Sequence, residues 1–342
     1  MPWPHGGSGT EEDPFLVNTA DAIDDMRDYQ DEDYYFKTTV SEISLEDYSA
    51  GQGWVPFRPG CNQWQGNGVH ITNLRIHRNA DQQGFIVAGA LGMTSEVYGV
   101  LIIDADVDAG SGANGGIFCR AMGDLKVFDC FSSGIIKGGS QTGGFCSLHA
   151  RFSSIIRCGS TATVIATGGP AGGFAYNIRS QVGREDMFFY GSVETTTAHG
   201  AAGFYLLDTS WYGDIPRTSI ASAPVVSNDG AEDGFGGGEG GRDTCFWNTD
   251  IGPESDSSGA LPKTTAELRN PATYPVEWDF SETWFFATLE NLQSIFGASV
   301  GAQAYDRLPE HVKGLPWLRS CASVLGHGLE PSAKALFMFA GL

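Results

Sequence analysis

Three short segments decide the fold: Gly143-Gly144-Phe145-Cys146, Gly172-Gly173-Phe174-Ala175 and Ala202-Gly203-Phe204-Tyr205. Each is a small residue, a glycine, a phenylalanine and one more small or apolar residue. Outward from them, a glycine followed by an apolar pair stands again at Gly116-Ile117-Phe118 and Gly84-Phe85-Ile86. From Gly84 onward the intervals are 32, 28, 29 and 30 residues, and near-equal spacing of this kind marks a repeated architecture.

Two further beats lie between these marks. The first runs Ile71–Ile76, Val97–Ile103, Leu125–Cys130, Ile155–Cys158 and Met187–Tyr190. The second runs Ala105–Val107, Ser133–Ile136, Thr163–Ala166 and Ser192–Thr195, rich in β-branched residues and closed by Gly or small polar residues. Cys130 and Cys158 stand one repeat apart and are expected to stack on successive coils. Three short strands per repeat predict an all-β protein, a right-handed parallel β-helix (β-solenoid) of 28–32 residues per coil, with short capping helices and loop insertions. A single coil cannot bury its inward face, whereas stacked coils make one continuous core. Helical repeats of this length would need longer helical patterns, which strings such as Thr161–Thr167 resist.

Composition agrees. Glycine supplies 47 of 342 residues without a Gly-X-Y period, which excludes collagen and calls for many tight corners. The formal net charge is −21, a surface that repels phosphate backbones and anionic lipid, so neither nucleic acid nor membrane is an expected partner. No apolar run is long enough to cross a bilayer, and the first ten residues do not read as a signal peptide. Seven cysteines without a CxxC pair fit buried free thiols better than a disulfide or zinc framework. Histidines without HxH or HxxxH spacing and the absence of a Gly-Xaa-Ser-Xaa-Gly elbow give no metal or nucleophile motif.

The domain plan that follows has a cap and leading segment over residues 1–60, coils over 61–250 with a Gly- and acid-rich loop at 230–243, and a closing coil, cap and apolar tail over 251–342. Asn18 and Thr19 are placed to cap a helix bearing Ala22, Ile23 and Met26 on one face, and Thr264 or Thr265 a second helix within Leu261–Asn270. The tail, Ala335–Ala340, is expected to dock on the core or on a neighbouring subunit, which would make an oligomer.

The repeat resembles proteins with GLUG motifs, in which Val-Gly-Gly-Leu-Val-Gly-like units alternate with Ile-Xaa-Asn-Cys-like strands. Gly115–Phe118, Gly143–Cys146 and Gly172–Ala175 match the first unit, and Val69–Ile76 looks like the strand that precedes it. Gly9–Val17 with Thr19–Ile23 is similar to the family's N-terminal cap. Cys245–Asn248, Lys263–Leu268, Trp278–Phe280 and Gly314–Leu318 look like its closing segment. The likeness spans roughly residues 7–319, departing in its few Leu-Val copies and its lack of a secretion signal. It implies a bacterial adhesin-like or viral tail- or fibre-like surface protein and brings no catalytic residues with it.

Asp104, Asp106 and Asp108 alternate with Ile103, Ala105 and Val107, which puts three carboxylates on the outward side of a strand. They read either as a solvated face, as a Ca²⁺ site, or as an acid pair for glycan cleavage; Ala109 stands where an EF-hand would need glycine. Trp211, Tyr212, Asp214 and Phe235, in the two stretches that interrupt the repeat, are the candidate ligand-binding residues. Trp54, Phe57 and Trp64 are either cap packing or sugar-stacking surfaces. The expected function is a non-enzymatic structural or recognition module on an exposed particle. A viral tail or fibre component contacting a host-surface glycan or protein, and other virion subunits, comes first. A polysaccharide-degrading β-helix enzyme and a cellular adhesin are the alternatives.

Overall fold

The computed structural model describes residues 3–29, 31–79, 83–87, 95–110, 114–122, 125–149, 154–178, 183–208, 216–237 and 242–329. Its strands stack in parallel as the repeat requires. In one coil the strands are Ser154–Ser160, Thr163–Ala166, Ala171–Gly172 and Ala175–Ile178. Each pairs in register with its counterpart one coil on: Arg184–Phe189, Ser192–Thr195, Ala201–Ala202 and Tyr205–Asp208. The inward side of the second strand position is one aliphatic column, Ile76, Val107, Ile136, Val164, Val193 and Val225, all buried.

A second inner column is made of rings. Phe118, Phe145, Phe174, Phe204 and Phe235 lie nearly parallel, with centroids 4.7, 4.8, 5.0 and 4.7 Å apart and interplanar angles of 2–6°. That distance is the spacing of hydrogen-bonded strands. The rings are 27, 29, 30 and 31 residues apart. The sequence alignment of Gly116 with Gly144 is therefore off by one: Gly116 pairs with Gly143, and Ile117 takes the place of the second glycine. Cys119 and Cys146 are register partners too.

The paired glycines are required by close approach rather than by left-handed backbone. A Cβ on Gly143 or Gly172 would sit 2.1 or 1.9 Å from the carbonyl oxygen three residues on. One on Gly173 or Gly203 would sit 2.2 Å from the carbonyl of the next coil's glycine. Left-handed residues form their own column, at the bend inside the first strand position: Gly99, Asp129, Arg157, Asp186 and Thr218, with φ between 45° and 61°. Non-glycine residues avoid this region, and here side-chain bonds between adjacent coils offset the cost. Arg157 donates to both Asp129 oxygens at 2.6 and 2.7 Å, and Thr218 Oγ1 donates to Asp186 Oδ1 at 2.7 Å.

The ends of the stack are covered. Helix α1, Ala20–Asp25, starts at Thr19, whose hydroxyl accepts from Ala22 N, and buries Ala22 and Ile23. At the other end the stack runs on to Ala260–Lys263, paired with Arg242–Asn248. There Asp256 Oδ1 accepts the backbone N–H groups of Phe235 and Gly236, both at 2.8 Å.

Residues 264–329 do not close a further coil. They form a strap that runs back along the flank of the stack. Helix α2, Thr265–Leu268, begins in a capping box between Thr264 and Glu267. It lies within the expected 261–270 and starts after the expected Thr264 cap, because Leu261 and Pro262 belong to the last strand. Helices α3 (Leu289–Phe296) and α4 (Ala298–Arg307) follow, then a 3₁₀ helix over Arg319–Gly326. The strap lies on an outward column of register partners: Leu101, Phe131, Gly159, Phe188, Ile220 and Phe246. With Trp278, Trp284, Leu292, Trp317 and Leu325 of the strap, the side chains of this column make a second hydrophobic core. Gly159 is the gap in the column, and a Cβ there would meet the Phe188 ring at 2.2 Å.

Candidate functional site

Where the strap meets the coils a cleft of about 320 Å³ remains. Its floor comes from both layers: Ile103, Phe131 and Tyr190 from the stack, Leu308, Val312 and Trp317 from the strap, all less than 9% exposed. The Tyr190 hydroxyl is spent on the Pro316 carbonyl, and burial pushes its pKa up. The Trp317 ring packs 4.7 Å from Phe188 and its indole N–H donates to the Cys321 carbonyl at 3.3 Å. The rim is polar: Asp104, Ser133 and Thr161 on the coil wall, Arg307 and His327 on the strap wall.

Asp104 owes its place to the backbone. It takes the left-handed conformation (φ 52°) where its strand bends, and its N–H donates to Ser133 Oγ at 2.9 Å. The carboxylate is exposed and forms no hydrogen bond or ion pair among the described residues. On the strap wall Arg307 Nη1 donates to the His327 carbonyl at 2.9 Å.

The end of the cleft that faces the first coils is a polar latch. His70 Nε2 and Ser323 Oγ are 3.1 Å apart, the His70 and His327 rings pack edge to face at 4.9 Å, and His327 Nε2 lies 3.8 Å from Glu42 Oε2. Glu42, His70 and Leu101 are register partners, so the outward column turns from apolar to polar where the strap ends.

The outward Asp row keeps its alternation but does not converge. Asp106 Oδ2 lies 2.7 Å from His77 Nε2, and Asp108 Oδ1 accepts from Gly110 N at 2.9 Å. Asp104 borders the flank cleft, while Asp106 pairs with Ile135 on the next face beyond the bend at Gly134. Among the described residues no three His, Cys, Asp or Glu side chains gather into a group that could hold a metal.

Phe235 corrects the sequence reading. It is fully buried as the last ring of the inner column, because Gly234-Phe235 is one more copy of the repeat hidden among neighbouring glycines. It offers nothing to a ligand. Glu232–Asp233 likewise pairs with Ala201–Ala202, so the first half of the expected loop continues the coil. Trp211, Tyr212 and Asp214 lie outside the described residues, as does the tail from 330 onward. Trp54, Phe57 and Trp64 are at most 3% exposed and are packing residues, with Trp54 Nε1 donating to the Phe85 carbonyl at 3.0 Å. All seven cysteines are buried thiols outside any disulfide, and burial pushes the Cys61 thiol up to about 12. Cys130 and Cys158 occupy adjacent coils, each next to a register partner, Phe131 and Gly159.

No family model matches the chain. A 79-residue stretch is 39% identical to a "Putative Gly-rich membrane protein" of Evansella cellulosilytica, amounting to 21% of this chain but spanning only 9% of that relative's length. Among solved structures the chain is similar to a protein called a putative immunoglobulin A1 protease from Bacteroides ovatus. The TM-score is 0.60 at 18% identity, over 92% of this chain and 94% of that one. The likeness establishes the fold. Its coverage exceeds what the coils alone supply, so it takes in flanking segments as well.

The cleft was missed by sequence reasoning because half of it comes from the strap. One signal was available: runs such as Val100–Ile103 and Met187–Tyr190 are apolar without alternation, as strands covered on both faces are.

Proposed function

We propose that this chain is a non-enzymatic recognition module of an exposed particle, in first place a viral tail or fibre component that contacts the host surface. One observation carries the reading. A stack stiffened on its flank holds a half-open cleft in which, among the described residues, Asp104 is the one carboxylate in the lining, while Glu42 lies at its far end beside His327 and Asp106 on another face beside His77. Glycan cleavage by paired acids needs two carboxyl groups roughly 5–9.5 Å apart across one groove. A slot with one acid on its rim suits binding. The resemblance to GLUG-motif surface proteins and the charge of −21 support the same role. The name of the Bacteroides protein speaks of a protease, but at 18% identity only its fold carries over.

A second reading, a cellular adhesin, is favoured by the matched stretch in the Evansella protein, whose name places that protein at a membrane. Labelled protein incubated with a glycan array and with cells, beside proteomes of purified particles and of cell envelopes, tests both. Retention together with presence in the particle supports the first reading, and presence in the envelope supports the second. Absence from both fractions with no retention ends the proposal. Release of oligosaccharide from a polysaccharide, lost in Asp104→Asn, would replace it with an enzyme.

A further inference from the structure

We propose that the cleft between coils and strap takes up a polypeptide segment in which a large apolar side chain is followed by lysine or arginine. The inference rests on the recognition reading and names the class of partner.

Shape decides between a peptide and a sugar. An exposed aromatic face is what favours stacking of a sugar ring. Here the two polar-tipped aromatics, Tyr190 and Trp317, are each 2% exposed, with the tyrosine O–H and the indole N–H already spent on backbone carbonyls. The floor is therefore a slot between two packed layers and not a platform. An apolar cavity of about 150 Å³ is enough to hold benzene. The 320 Å³ here admits a phenylalanine or leucine side chain with room for the main chain at the mouth.

Chemistry at the rim decides the neighbours. Thr161 offers a hydroxyl, while that of Ser133 is held between the Asp104 N–H and the Ile102 carbonyl. Arg307 has one N–H on the His327 carbonyl, which leaves donors for a main-chain carbonyl of the guest. Asp104 is the complementary group: an exposed carboxylate without a partner among the described residues, held outward by a left-handed turn. A cation on the residue after the apolar one meets it. The net charge of −21 draws basic segments and repels acidic ones before contact.

The test is fluorescence anisotropy with three labelled, end-blocked tetrapeptides, Gly-Phe-Lys-Gly, Gly-Phe-Glu-Gly and Gly-Ser-Lys-Gly, on the full chain. Gly-Phe-Lys-Gly is expected to bind roughly fivefold more tightly than Gly-Phe-Glu-Gly, the size of one exposed charge pair. Gly-Ser-Lys-Gly is expected to bind least. Asp104→Asn should abolish the Lys-over-Glu preference while leaving Gly-Phe-Glu-Gly unchanged or improved. Thr161→Phe, a rim change that leaves the core columns alone, should block all three, with an unchanged circular dichroism melt as the folding control. Equal binding of the Lys and Glu peptides, a preference that survives Asp104→Asn, or full binding by Thr161→Phe overturns the proposal. If the whole protein adheres to cells but no peptide binds, the peptide class falls and the surface role stands. If the peptides bind and adhesion fails, the reverse holds.

Discussion

Two of the columns of side chains invite comparison, the ring column inside the coils and the flank column outside. The inner column is a single residue type repeated, Phe118 to Phe235, each ring covered by the next. The outer column is mixed, Leu101, Phe131, Gly159, Phe188, Ile220 and Phe246, and is covered by a segment that repeats nothing. A translational core is satisfied by copies of itself. A lateral core needs a second layer whose residues are matched one by one to what they cover, and the cleft lies where that match is incomplete.

Ending the chain at Lys263 breaks the comparison most severely. At roughly 1.5–3 kcal/mol for each large apolar side chain left bare, the five side chains of the outer column represent on the order of 10 kcal/mol. Insoluble protein, or dye binding by a molten product, is the expected outcome. A soluble, cooperatively melting 263-residue product would show that the flank needs no cover.

Single truncations sharpen it. Phe174→Ala and Phe131→Ala should each cost about 3–5 kcal/mol in denaturant unfolding, since both remove a fully buried ring. The two should separate in hydrogen exchange: the inner change weakens protection across the coils, and the outer change first releases strap amides such as those of α4. Identical exchange patterns would mean that the two layers open as one unit.

Gly173→Ala tests the corner. Its new methyl would lie 2.2 Å from the Gly203 carbonyl oxygen and 2.4 Å from the Phe189 ring, so about 1–3 kcal/mol should be lost. Gly51→Ala, in open space but at φ 61°, should cost about 1–2 kcal/mol through backbone strain alone. Comparing their unfolding midpoints separates crowding from conformation.

The smallest expected effect concerns Asp186, where the two layers share a carboxylate. Its Oδ1 accepts from Thr218 Oγ1 at 2.7 Å and from Trp284 Nε1 of the strap at 3.0 Å. Burial raises its pKa against those bonds and the nearby Arg157. A carboxyl with a raised folded pKa contributes stability that is complete below its unfolded pKa near 4 and is lost as pH rises through the folded value. Wild type should therefore lose stability on that rise, and Asp186→Asn should flatten the profile at a stability equal to or up to about 1 kcal/mol above wild type near neutral pH. A steeper profile in the variant would mean that the charge itself holds the strap.

The coils could be read from the sequence because translation puts equivalent residues at near-constant spacing, so Phe145, Phe174 and Phe204 announce each other. Both caps could be read because Thr19 and Thr264 are local signals. Phe235 was misplaced because the glycines around Gly234 imitate a loop. The strap was illegible as a layer: its buried residues, from Leu268 to Leu325, follow no spacing shared with the coils, and its contacts with them span up to 253 positions, as between His70 and Ser323. The cleft inherits that difficulty, and of the predicted acids among the described residues Asp104 alone lines it.

Rings piled at strand spacing with open backbone donors above them are also the geometry by which protein fibres template their own growth. The carboxylate of Asp256, laid across the last two amides of the Phe column, occupies the place where another molecule's strand would dock. Together with the Ser255 carbonyl, which accepts from Gly234 N at 2.9 Å, it takes up the donors that the last ring of the pile would otherwise leave open.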